Sequence, residues 1–158
     1  MAGRRYYEAP DRYVPDPADP VRSVFLAGGI THCPPWQSEA AAGLGEFVVL
    51  NPRRADFDVA DPGQTDDQIA WEFHHLWLAD LTLFWFPACD PALTVQPITL
   101  YELGAAAATP TRQIVVGTDP AYPRATDVRL QLTHARPGLT VHSTLTATVT
   151  EARRHLAQ

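Results

Sequence analysis

Three carboxylates stand out by their surroundings: Glu72, Asp80 and Glu102. Of the six glutamates, Glu8, Glu39, Glu46 and Glu151 sit in polar or terminal stretches, whereas Glu72 and Glu102 sit among apolar residues. Glu102 shares a helical stripe with Ile98, Tyr101, Ala105 and Ala106, so it faces packed or enclosed space near the start of a helix. Desolvation penalises a carboxylate there unless it is hydrogen-bonded or serves a site. The helix N-terminus offsets part of that cost and keeps the group ionised. An ionised, enclosed carboxylate aimed at a cleft suits a nucleophile; the plainer alternative is a buried carboxylate bonded to a nearby hydroxyl. Glu72 lies at the edge of its helix's apolar face, about two turns before Asp80. Asp80 directly precedes an apolar strand. Together the three could divide the nucleophile and acid roles of glycosidic bond chemistry. Taken singly, Glu72 also reads as a surface residue and Asp80 as a helix-end residue bonded to backbone.

Other residues offer weaker chemistry. Gly28-Gly29 after a strand could bring backbone N–H groups to an anion, or simply make a tight turn. Trp36 and Gln37 could stack on and read a nucleobase, or Trp36 could cap the core. Arg53 and Arg54 could hold a phosphate or hydroxyls, or stay solvated. His32, Cys33, His74, His75 and Cys89 match no structural zinc spacing, so neither a metal nor another cofactor is expected. Cys33 lacks the strained glycine-flanked turn of a nucleophilic elbow.

These residues need elements to position them. Ser23–Ala27, Phe47–Leu50, Leu81–Phe86, Gln113–Val116 and Leu139–His142 read as strands. The unbroken apolarity of Leu81–Phe86 suits a central parallel strand covered on both faces. Helical readings fall at Ser38–Leu44, Gln68–Asp80, Ile98–Ala108, Thr126–Ala135 and Ser143–Leu156, with Pro97 in a first turn. Ile69, Phe73, Leu76, Trp77 and Asp80 form the apparent inner face of the second of these. Asp56–Asp67, with five aspartates and no base, reads as a solvated loop. Alternating strands and helices imply an α/β fold: one flavodoxin-like, Rossmann-type, three-layer domain over residues 21–158 with a five-stranded parallel sheet. Residues 1–20 read as an irregular arm.

Composition closes off several functions. The chain has 158 residues and a net charge of -6, and all twelve basic residues are arginine. Without lysine there is no Schiff base, phosphate-loop lysine or lysine general base. The acid excess argues against a nucleic-acid groove. No apolar run is long enough to span a membrane. The first twenty residues lack the apolar core of a signal peptide, and two cysteines make no disulfide framework, so a cytoplasmic location is expected.

Several segments, taken in order, resemble the nucleoside 2-deoxyribosyltransferase-like proteins, in particular a small bacterial branch. They are Val24–Ile30, Asn51-Pro52-Arg53, Trp71-Glu72 with Ala79-Asp80, and Tyr101-Glu102-Leu103-Gly104. Val115–Asp119 and Tyr122-Pro123-Arg124 add to the likeness. The resemblance implies cleavage of the N-glycosidic bond of a (deoxy)nucleoside, with Glu102 attacking the anomeric carbon. The sugar then passes to a second base or to water. It also implies that Glu72 is a second active-site acid and Asp80 a further one. Gly28, Gly29, Trp36, Gln37, Asn51, Arg53 and Gln96 are candidate substrate contacts. The chain departs from the family at Phe25, where many members carry a tyrosine, at Glu72, where Asp is more usual, and at Gln96, where transferases often carry an aspartate; its first loop, Gly28-Gly29-Ile30-Thr31, is also less polar than in the phosphate-handling hydrolase branch. Hydrolysis of a nucleoside 5′-monophosphate, held by Arg53 or Arg124, and nucleotide sensing without turnover are the alternatives. A homo-oligomer, dimer or larger, is also implied.

Overall fold

The computed structural model describes residues 3–54 and 62–158. In chain order they form β1 (Tyr6–Glu8), β2 (Ser23–Gly28), α1 (Trp36–Gly43), β3 (Val48–Asn51), α2 (Pro62–Leu78) and β4 (Leu81–Phe86). There follow α3 (Pro97–Ala107), β5 (Ile114–Thr118), α4 (Ala125–Ala135), β6 (Val141–His142) and α5 (Leu145–Leu156). The strands make one sheet in the order β1-β3-β2-β4-β5-β6, parallel at every pairing. The flavodoxin-like class holds, with six strands rather than five. The additional strand comes from the arm: Tyr6–Glu8 pair with Val49–Asn51 and use an edge of β3.

Strand alternation sorts the core onto two faces. Phe25 and Ala27 of β2, with Phe84 and Phe86 of β4, pack under α2, α3 and α4 through Trp71, Leu103 and Val128. Val24 and Leu26, with Leu83 and Trp85, pack under α1 and α5 through Trp36, Ala40, Val149 and Ala152. Both faces of β2 and β4 are therefore covered, which is why these strands read as continuous apolar runs.

The inner face of α2 differs from the sequence expectation. Gln68, Trp71, His75, Leu76 and Ala79 are buried, whereas Ile69 and Phe73 are 59% and 68% exposed. On that inner face Trp71 sits against Phe25 with ring centroids 6.2 Å apart. The helix also begins at Pro62, so the second part of the expected Asp56–Asp67 loop is helical; its residues 55–61 lie outside the described residues.

The arm is held to α2 by two polar contacts. Trp71 Nε1 donates to the Asp11 carbonyl at 2.9 Å, and the Tyr13 N–H donates to His75 Nε2 at 3.0 Å. His75 Nδ1 lies 2.8 Å from the Trp71 carbonyl, so the ring accepts at one nitrogen and donates at the other, and it is neutral. Burial lowers its pKa below the ordinary 6.5, and the neighbouring His74 and Arg12 act in the same direction. The unfolded chain therefore gains this proton first as pH falls, and stability drops as pH falls from about 6.5 towards the lowered folded value. Protonation would remove the acceptor for Tyr13. After correction for intrinsic rates, the Tyr13 amide should be protected from hydrogen exchange at pH 7.5. By pH 5 it should lose protection more than amides of β4; parallel losses at both would contradict this latch.

Candidate active site

The sheet order reverses between β2 and β4, because the chain leaves β2 for β3 on one side and returns to β4 on the other. Such a switch point leaves a crevice beyond the carboxyl ends of the strands. Here it is a cleft of about 230 Å³. Phe25, Ala27, Gly28, Gly29, Ile30 and Thr31 form its floor and rim. Pro52 and Glu72 close one wall, and Thr94, Gln96 to Thr99 and Glu102 close the other.

Glu72 and Glu102 thus meet across an apolar cleft. Glu72 comes from the middle of α2, where Gln68 Nε2 donates to its Oε1 at 2.7 Å. Glu102 lies a turn and a half into α3, and among the described residues nothing donates to its carboxylate. Burial raises the proton affinity of both groups. The charge of Glu72 adds to the effect on Glu102, whose pKa is pushed up to about 8. The expectation that the helix terminus would keep Glu102 ionised is therefore corrected. A helix dipole acts within its first turn, and Glu102 lies beyond it. Glu102 therefore holds its proton at neutral pH. The stripe expected beside Glu102 also differs, since Ile98 and Tyr101 are 64% and 77% exposed.

Asp80 stands elsewhere. Its Oδ2 accepts from the Ser23 N–H at 2.7 Å and from the Ser23 hydroxyl at 2.9 Å. Ser23 opens β2, roughly 17 Å along the strand from Gly28. Asp80 therefore ties the amino ends of β2 and β4 together and takes no part in the cleft.

The proposed contact residues divide similarly. Trp36 heads α1 on the opposite face of the sheet, where its Nε1 donates to the Gly29 carbonyl at 3.0 Å. Gln37 is buried and donates to the same carbonyl at 3.2 Å. Arg53 donates to Gln37 Oε1 and Pro34 O at 3.0 Å and to Cys33 O at 3.1 Å, so it fastens the β2–α1 loop. Asn51 bonds the Tyr6 hydroxyl and the Arg53 N–H. These four residues support the cleft without lining it. Arg124 pairs with Asp127 on the surface.

Gln96 does line the cleft, with its polar atoms engaged. Its Oε1 accepts from Gly29 N–H at 3.1 Å, and its Nε2 reaches Pro87 O at 2.9 Å and Cys89 Sγ at 3.4 Å. It is a clasp joining the ends of β2 and β4 to α3, held in a left-handed conformation at φ 55°. The glycines are needed for close packing. A Cβ on Gly28 would collide with the Trp85 carbonyl and the Trp36 ring, and one on Gly29 with Cys33 Sγ.

Sequence reasoning missed Thr99. It lies one turn before Glu102 on the same face, is 5% exposed, and lines the cleft with a hydroxyl that has no partner among the described residues. The i, i+3 spacing to Glu102 was the available signal. Among the described residues no group of three or more His, Cys, Asp or Glu could hold a metal ion. A larger depression of about 580 Å³ lies between α3 and α4. Its charged groups are already engaged, Arg136 by backbone carbonyls and Asp127 by Arg124.

A family model described as "Nucleoside 2-deoxyribosyltransferase like" matches residues 21–122. The chain belongs to this family. The matched stretch contains every residue that lines the cleft. A search of curated proteins finds no match to the chain. The family's fold accounts for β2 to β5, and the arm strand and the closing α4, β6 and α5 lie outside the match.

Proposed function

We propose that the cleft cleaves the N-glycosidic bond of a (deoxy)nucleoside, with Glu102 as nucleophile and Glu72 as proton carrier. The observation that carries this reading is the convergence of two buried carboxyls on one cleft at the switch point, with the proton affinity of Glu102 raised by burial and by the charge of Glu72. Glu102 passes its proton to Glu72, and Glu72 delivers it to the departing base. The Glu102 carboxylate forms a bond to the anomeric carbon as the bond to the base breaks. Glu72, now ionised, takes a proton from the incoming base or water. That acceptor attacks the anomeric carbon and releases Glu102 as a carboxylate. The pair regains one proton and the cycle closes.

This cycle needs one proton on the pair. Base release should therefore fall as pH rises through about 8, where that proton is lost. A rate that stays flat to pH 10 would contradict the scheme. The activity itself is tested by incubating the chain with a panel of deoxynucleosides and nucleoside monophosphates, with and without an acceptor base. Free base should appear in the wild type; its absence across the panel would remove the reading.

A nucleoside fits better than its 5′-monophosphate. Among the described residues that line the cleft none is cationic, and Arg53 is turned into the loop. Non-catalytic sensing is favoured by one observation: Phe25 lines the cleft without the hydroxyl that family resemblance would place there. Assembly of copies is supported by Ile69, Phe73, Ile98 and Tyr101, exposed on the two helices that carry the carboxyls. Light scattering giving the mass of one chain would exclude it. Among the described residues no helix is long and apolar enough to cross a membrane; a cytoplasmic location belongs to the same proposal.

A further inference from the structure

We infer that Gln68 is a positioning residue for Glu72, fixing both where its carboxylate points and which member of the pair starts the cycle ionised. The inference rests on the functional reading above, because it concerns the same pair. Gln68 lies one turn before Glu72 on α2, an i, i+4 pair. Its Nε2 is 2.7 Å from Glu72 Oε1 and 2.7 Å from the Pro52 carbonyl, so each amide hydrogen has one acceptor. The orientation is unambiguous. A flipped amide would set its oxygen against a carbonyl and a carboxylate, both acceptors.

Pro52 directly follows β3, so Gln68 pins Glu72 to the carboxyl end of the sheet. One carboxylate oxygen is held, and the other remains available. Gln68 is 9% exposed, and its Oε1 is buried with no partner among the described residues. A buried amide with an orphaned oxygen is a cost to the fold. The amide is kept there for what its nitrogen donates to, the Pro52 carbonyl and the Glu72 carboxylate.

A donor to a carboxylate favours its ionised form, and this hydrogen bond opposes the effect of burial on Glu72. Glu102 has no such donor among the described residues. Among the described residues that line the cleft, the titratable group facing Glu72 is Glu102 on α3; β2 presents Phe25 and Ala27, and the end of β3 presents Pro52, none of which titrates. Gln68 thereby leaves Glu72 as the anion able to receive Glu102's proton.

The test is a carbon-13 carboxyl titration by NMR of wild type and Gln68→Met, paired with the pH profile of base release. Removing the donor should raise the Glu72 midpoint by about one pH unit. The acid limb of base release should move upward by the same amount. In wild type, the Gln68 side-chain amide proton should shift with the midpoint of Glu72, a readout that survives if the variant does not fold. A Glu72 midpoint unchanged in the variant, or a Gln68 amide indifferent to Glu72, would overturn the inference. If wild type releases no base while the Glu72 midpoint still moves, the functional reading fails and the role of Gln68 stands.

Discussion

Replacing Glu102 by Gln should abolish base release and, at the same time, stabilise the fold at alkaline pH. Loss of the nucleophile should cost at least about a thousandfold in rate, the scale seen when a covalent nucleophile is removed. The stability gain follows from the same burial that makes Glu102 reactive. Its folded pKa of about 8 lies above the ordinary 4.5, so between those values the folded chain binds more protons than the unfolded chain. Stability therefore falls as pH rises through that window, and the penalty is complete above about 8. A neutral glutamine removes it. At pH 9 the variant should melt several degrees above wild type, given ~2–4 °C per kcal/mol for a chain of this size. At pH 5 the two should melt together. Thermal unfolding at both values is the check, and a difference independent of pH would mean that Glu102 is not the strained carboxyl described above.

The second large effect is expected at Gly28. The position ends β2, immediately before the cleft, with Trp85 backbone on one side and the Trp36 ring on the other. A methyl group there meets a carbonyl of the central strand, which has no freedom to withdraw. Trp36 is also held by its bond to Gly29, so its ring cannot swing aside without breaking that contact. Gly28→Ala should therefore lose about 3 kcal/mol, the upper part of the range for overpacked sites. Chemical denaturation should show a lower midpoint with an unchanged slope. A stability within about 0.5 kcal/mol of wild type would show that the Trp36 contact is not a tight one.

The two strands that frame the cleft were legible because both of their faces are buried, and continuous apolar runs followed. Glu72 and Glu102 were legible as carboxylates out of place among apolar neighbours. The inner face of α2 was not, for a related reason. Its inward positions include Gln68, Glu72 and His75, polar residues with partners in the fold, so counting apolar letters chose Ile69 and Phe73 instead. β1 escaped notice because three residues between arginine and proline carry no periodic signal; their strand exists through an edge of β3. Asp80 and Trp36 show a different limit. Each was near the site in sequence, yet Asp80 lies at the amino ends of the strands and Trp36 on the other face of the sheet. Sequence proximity says nothing about strand direction or layer until the sheet order is known.

The central claim is that Glu102 becomes covalently glycosylated. Mass spectrometry of the intact chain, quenched in acid during turnover of a deoxynucleoside and then mapped by peptide, addresses it directly. The account predicts a mass increase of one deoxyribosyl unit, confined to the peptide containing Glu102 and missing in Glu102→Gln. Base release with no adduct at any quench time, or an adduct on a different residue, would contradict it.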